Sequence, residues 1–136
     1  MTTAIEISDD RELTVEEASL VRWLLKHGRS QALSFVPQLK NARVASRCGC
    51  GCASINFAIN GVKPPSDEGI AVLADYEWGD ADGRLLGAFV FAQGGLLAGL
   101  EIWSQDLLAI ANELPQVDWL RPFGSCTVSN QLQMPT

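Results

Sequence analysis

The segment Arg47–Ile59, RCGCGCASINFAI, sets Cys48, Cys50 and Cys52 at alternate positions with glycine between them. Thiolates are nucleophiles, redox groups and ligands for soft metals, so the spacing admits a metal site, a thiol-redox site or a turn filled with small residues. Structural zinc sites draw four ligands, with cysteines in C-x(2–4)-C pairs and zinc–sulfur bonds of about 2.3 Å. Alternate Cα atoms of an extended chain lie about 6.8 Å apart, so these cysteines converge only if the glycines bend the chain. A fourth ligand would have to be Cys126 or His27, the single histidine. A redox thiol needs nearby positive charge, and Arg47 is the only cation close in sequence.

Hydrophobic alternation chooses a register for the two strands that flank the turn. Ala42, Val44 and Cys48 share a face on the incoming strand, and Ala53, Ile55, Phe57 and Ile59 share one on the outgoing strand. Both sets turn inward if Val44 stands opposite Phe57 and Cys48 opposite Ala53, because facing residues lie on the same side of a sheet. Gly49 to Cys52 is then a four-residue turn, Cys48 points into the core, and Arg47 leaves on the other face. That register predicts a small-residue turn, with no ligand cage.

The second group able to do chemistry is acidic. Asp75 and Glu77 alternate along one expected strand, facing away from Ile70, Val72, Ala74, Tyr76 and Trp78, while Glu101 interrupts the apolar stretch LLAGLEIW and shares a face with Gly99 and Trp103. If those faces coincide they make an acidic, aromatic patch fit for binding a partner, with Trp78 and Trp103 at strand ends as interface candidates. Paired carboxylates can also do acid–base work, but only in a cleft that separates their pKa values. With one histidine, in KHG at an expected helix end where positive charge is favoured, a Ser–His–Asp triad has little to draw on. DADG at Asp80–Gly83 resembles part of a calcium loop, but the places that need glycine and glutamate hold Leu85 and Phe91, so a hairpin turn is expected.

Elements that could position these groups follow from periodicity. LTVEEASLVRWLLKHG, residues 13–28, reads as a helix with an apolar stripe in Leu20, Val21, Leu24 and Leu25, with Trp23 at its edge, Thr14 and Glu17 as a capping box and Gly28 as a left-handed stop. A shorter helix is expected after Ser30, turning Ala32, Leu33 and Val36 inward before Pro37. The period then changes to two, giving strands Ala42–Cys48, Ala53–Ile59, Ile70–Trp78, Leu85–Ala92 and Leu96–Trp103, with glycine-rich hairpins at residues 79–83 and 92–95. The spacing of Leu107, Leu108, Ala111 and Leu114 fits a helix or an irregular segment held by its leucines. The predicted fold is a single α+β domain over residues 1–136: an N-terminal helical hairpin packed on a largely antiparallel sheet of about five strands, with 1–12 and 124–136 loosely ordered.

The 136 residues carry a net charge of −6, with 16 acidic against 10 basic side chains and no basic cluster, which argues against nucleic acid. No apolar run approaches the roughly 20 residues of a membrane span, so no membrane contact is expected. The acidic N-terminus lacks the layout of a secretory signal, so a cytoplasmic protein with reduced cysteines is expected.

The stretch GGLLAGLEIWSQD, with ELP at Glu113–Pro115, resembles a hairpin of small uncharacterised bacterial domains, G-x-L-x-x-L-E-[IV]-[WY]; here Gly95, Leu100, Glu101, Ile102 and Trp103 carry the match. The resemblance covers about a fifth of the chain and implies no activity, although some such domains accompany toxin genes as presumed inhibitors. The expected function is therefore a non-enzymatic protein-binding module without cofactor, an immunity-type inhibitor in its sharper form. Its partner would be a protein, fittingly a basic one, and a homodimer is a further possibility. The alternative is a thiol or zinc-binding protein built on Cys48, Cys50, Cys52 and Cys126.

Overall fold

A computed structural model describes residues 6–105 and 111–124. One helix, α1 (Val15–Lys26), opens the helical part. The capping box is formed: the Glu17 N–H donates to Thr14 Oγ1 at 3.0 Å and the Thr14 N–H to Glu17 Oε1 at 2.9 Å. Gly28 does not act as the expected left-handed stop. It lies where a Cβ would meet the Leu73 carbonyl at 2.3 Å, so its lack of a side chain serves close approach of the helix end to the sheet. The chain continues as a 3₁₀ segment, Ala32–Asn41, which contains Pro37. Ala32 and Leu39 are its buried residues, whereas Leu33, expected inward, is 58% exposed.

Seven antiparallel strands form one sheet rather than about five: β1 (Glu6–Glu12), β2 (Ala42–Cys48), β3 (Ile55–Ile59), β4 (Ile70–Gly79), β5 (Leu85–Gln93), β6 (Leu96–Ser104) and β7 (Arg121–Pro122), in the order β1-β2-β3-β6-β5-β4-β7. Neither edge strand was expected. β1, EISDDRE, is polar apart from the exposed Ile7 and has no inward alternation to betray it. It is held by pairing with β2 and by Arg11, whose guanidinium grips the Glu17 carboxylate at 2.9 and 3.0 Å. Residues 6–12 are therefore an ordered edge strand, contrary to the expectation of a loose N-terminus.

Helix α1 and the 3₁₀ segment lie on one face. Leu20, Val21, Leu24 and Leu25 meet Val44, Ile55, Phe57, Ala74, Val90, Leu100 and Ile102 in one hydrophobic cluster. The β4 bulge at Leu73 belongs to this docking. It turns the Leu73 carbonyl toward the Arg29 N–H, which donates to it at 2.8 Å just beyond the helix. The same bulge moves Val72 to the opposite face from Ala74, Tyr76 and Trp78, whereas unbroken alternation predicts a shared one. Among the described residues no helix is long and apolar enough to cross a membrane.

Candidate functional site

The other sheet face carries the acidic group. Strand registers set Asp75 beside Phe89 and Phe89 beside Glu101, and in the next rung Glu77 beside Gly87 and Gly87 beside Trp103. Residues directly opposite in a sheet share a face. Asp75, Glu77, Glu101 and Trp103 thus share one face, a coincidence that alternation alone left open. Trp78 does not join them: it is 4% exposed, on the core face, and is corrected from interface candidate to core residue.

Two glycines shape this face. A Cβ on Gly87 would lie 2.1 Å from the Trp103 ring, and one on Gly99 would lie 2.8 Å from the ring of Phe91, so each aromatic takes the space that a side chain on the neighbouring glycine would need. Phe89 and Phe91 follow at a ring separation of 5.9 Å, and Phe123 meets Trp103 edge-on at 5.9 Å. Periodicity could have found the two phenylalanines, which alternate with Gly87 in LLGAFVFA but are masked there by the continuous apolar run. Phe123 and Arg121 come from β7 and its exit, which no pattern in the sequence announces.

The three carboxylates differ in environment. Glu77 is buried and paired with Arg121 at 3.3 Å. Asp75 is pushed above the usual carboxylate range by burial, with Arg29 opposing and Glu77 adding to the shift. Burial also raises Glu101, against a hydrogen bond with Ser54 at 3.2 Å. Ser54 Oγ accepts from the Ile102 N–H at 2.8 Å, which fixes β6 against the start of β3. Among the described residues no cation forms an ion pair with Asp75 or Glu101.

The cysteine turn departs from the predicted register. Val44 does pair with Phe57, but a bulge at Ala45 then sets Ser46 against Asn56 and Arg47 against Ile55. Beyond the bulge every side chain changes face. Cys48 is therefore not a core residue opposite Ala53. It pairs with Glu6 of β1, on the face of Ser46 and Asn56, and the loop widens to Gly49–Ser54. Asn56 pairs with Gly99, so this is also the face of Glu101 and Trp103.

Gly51, at φ +95°, lets the loop double back, and the three sulfurs converge to within 4.8 Å of one another. Alternation alone predicts no such cage. The Cys48 and Cys50 sulfurs are 2.7 Å apart, and the Cys50 and Cys52 N–H groups donate to the preceding sulfurs at 3.4 and 3.3 Å. Cys50 is exposed and its pKa is lowered, chiefly by the Cys48 thiol; Cys48 is raised to about 12 by the same contact and by burial. Three thiols so placed could hold a metal ion. Cys126 lies outside the described residues.

His27 is occupied at the helix end, stacked on Trp23 at 4.1 Å with Nδ1 2.8 Å from the Trp23 carbonyl, and is not in the thiol group. The DADG segment is a hairpin turn: the Asp80 carboxylate accepts from the Asp82 and Arg84 N–H groups at 2.9 Å and pairs with the Arg84 guanidinium. That turn walls a cleft of about 580 Å³ with Trp78, Leu86, Leu114 and Trp119, and its acids Asp80 and Asp82 are both spent on Arg84. Comparison with known protein families, curated proteins and solved structures finds no match to this chain.

Proposed function

We propose that the chain is a non-enzymatic binding module that takes a basic segment of a protein partner on the sheet face opposite its helix. The observation that carries this reading is the rung Asp75–Phe89–Glu101: two carboxylates held above their ordinary range by burial, an aromatic between them, and no ion-paired cation on either among the described residues. A half-desolvated carboxylate gains from an incoming cation what it lost in leaving water. An arginine suits the site, since its planar guanidinium can bridge to carboxylates and lie on the faces of Phe89 or Trp103. The net charge of −6 steers such a partner in. An inhibitor of a basic toxin is the sharper form of this reading, and its support is the β6 hairpin resemblance.

The test uses an arginine-rich peptide as probe, titrated calorimetrically at low and physiological salt. The double variant Asp75→Asn/Glu101→Gln should weaken binding by about tenfold or more. Asp67→Asn/Glu68→Gln makes the same charge change on an exposed loop and should shift it by no more than about twofold. Equal effects of the two pairs would reduce the binding to net charge and remove the proposed surface.

A further inference from the structure

We propose that Cys48, Cys50 and Cys52 form a three-coordinate, all-sulfur site for a soft monovalent cation, copper(I). This rests on the geometry of the β2–β3 turn and stands independently of the acidic face. A trigonal ion with metal–sulfur bonds of about 2.3 Å needs sulfurs about 4 Å apart. One pair stands closer than that, at 2.7 Å, and all three sulfurs lie within 4.8 Å of one another. Closing the site takes an opening of the 2.7 Å pair by about 1.3 Å, on a turn whose glycines, Gly49 and Gly51, permit it.

The surroundings suit thiolates. Two backbone N–H groups of the turn already point at Cys48 and Cys50 Sγ, supplying donors to negative sulfur, as the peptide groups of a nest do. Cys50 faces solvent and the other two are half-buried, so an ion can enter directly or by ligand exchange from a donor. Donor type and number then choose the metal. Zinc completes a tetrahedron, and among the described residues no imidazole or carboxylate joins the three sulfurs. Soft thiolates with low coordination number select copper(I). Binding is metal-for-proton exchange: three Sγ–H bonds are replaced by three sulfur–copper bonds, the thiol protons pass to solvent, and neither sulfur nor copper changes oxidation state. Affinity should fall as pH falls.

The experiment is anaerobic titration of the reduced full chain with copper(I) supplied as its acetonitrile complex, in competition with bicinchoninate, and a parallel zinc titration against a chromophoric chelator. The expected result is one copper(I) per chain, sulfur-only coordination by X-ray absorption, and copper(I) held in preference to zinc. Cys48→Ser, Cys50→Ser and Cys52→Ser should each weaken it by about tenfold or more, with Cys126→Ser unchanged. Cys48 ends β2 and Cys50 and Cys52 lie on the loop that follows, and unchanged circular dichroism of each variant ties the loss to the ligand. Tighter zinc than copper(I), or loss of copper with Cys126→Ser, would overturn the three-coordinate site. A wild-type chain that takes no copper(I) and instead loses two hydrogens to diamide would show a Cys48–Cys50 redox pair in its place.

Discussion

Burial of Asp75 and Glu101 raises both carboxyls, and this has a signed consequence for stability. A carboxyl whose folded pKa lies above its unfolded value binds its proton more tightly when folded, so stability is greatest in acid and declines as pH rises through that interval. At neutral pH both carboxylates therefore work against the fold. Asp75→Asn or Glu101→Gln should raise the melting temperature at pH 7 by about 1–4 °C and leave it little changed at pH 3, by calorimetry. A gain in stability coupled to loss of peptide binding is the mark of residues kept for function. Glu17 behaves in the opposite sense. Arg11 and Thr14 lower its pKa against the burial that would raise it, so its contribution is present above about pH 4.3 and fades as pH falls through the folded value. Glu17→Gln, which keeps an acceptor for the Thr14 N–H, should cost about 1–2 kcal/mol in urea denaturation at pH 7, the lower range because Arg11 remains partly in water.

At the scale of elements, what alternation and capping could say, they said. Thr14 and Glu17 locate the helix start, and the β2, β4, β5 and β6 limits agree within a residue with the apolar pattern. The failures fall at bulges. Ala45, Leu73 and Ala98 each break a ladder, and one inserted residue exchanges the two faces downstream, which a period-two reading cannot detect. The bulge at Ala45 is why Cys48 leaves the core for the turn cluster. β1 was illegible because its charges mimic a solvated tail, and its tie to the fold is a long-range ion pair. The close approach of Trp103 to Gly87 makes a further prediction: Gly87→Ala drives a methyl into the Trp103 ring and should cost about 1–3 kcal/mol. In a Trp103→Ala background most of that cost should vanish, and a double-mutant cycle showing simple additivity would deny the contact.

Taken whole, the molecule is a twisted sheet with its helical part on one side and an acidic, aromatic surface on the other, where the thiol turn also lies. Its long edge is defended: β1 carries Asp9, Asp10, Arg11 and Glu12, and Asp10 at φ +50° sits in a register break that interrupts the strand. Deleting residues 6–12 would bare β2 and should produce concentration-dependent self-association in sedimentation velocity, where the intact edge does not invite it. The proposed binding then falls to the sheet face opposite the helix. The measurement that tests this most directly is the pH titration of the Asp75 and Glu101 side-chain carboxyl ¹³C shifts, with and without the arginine-rich peptide. The account predicts that both titrate above the ordinary range in the free chain and that both fall when the peptide is bound; ordinary values in the free chain, or no response to the peptide, would contradict it.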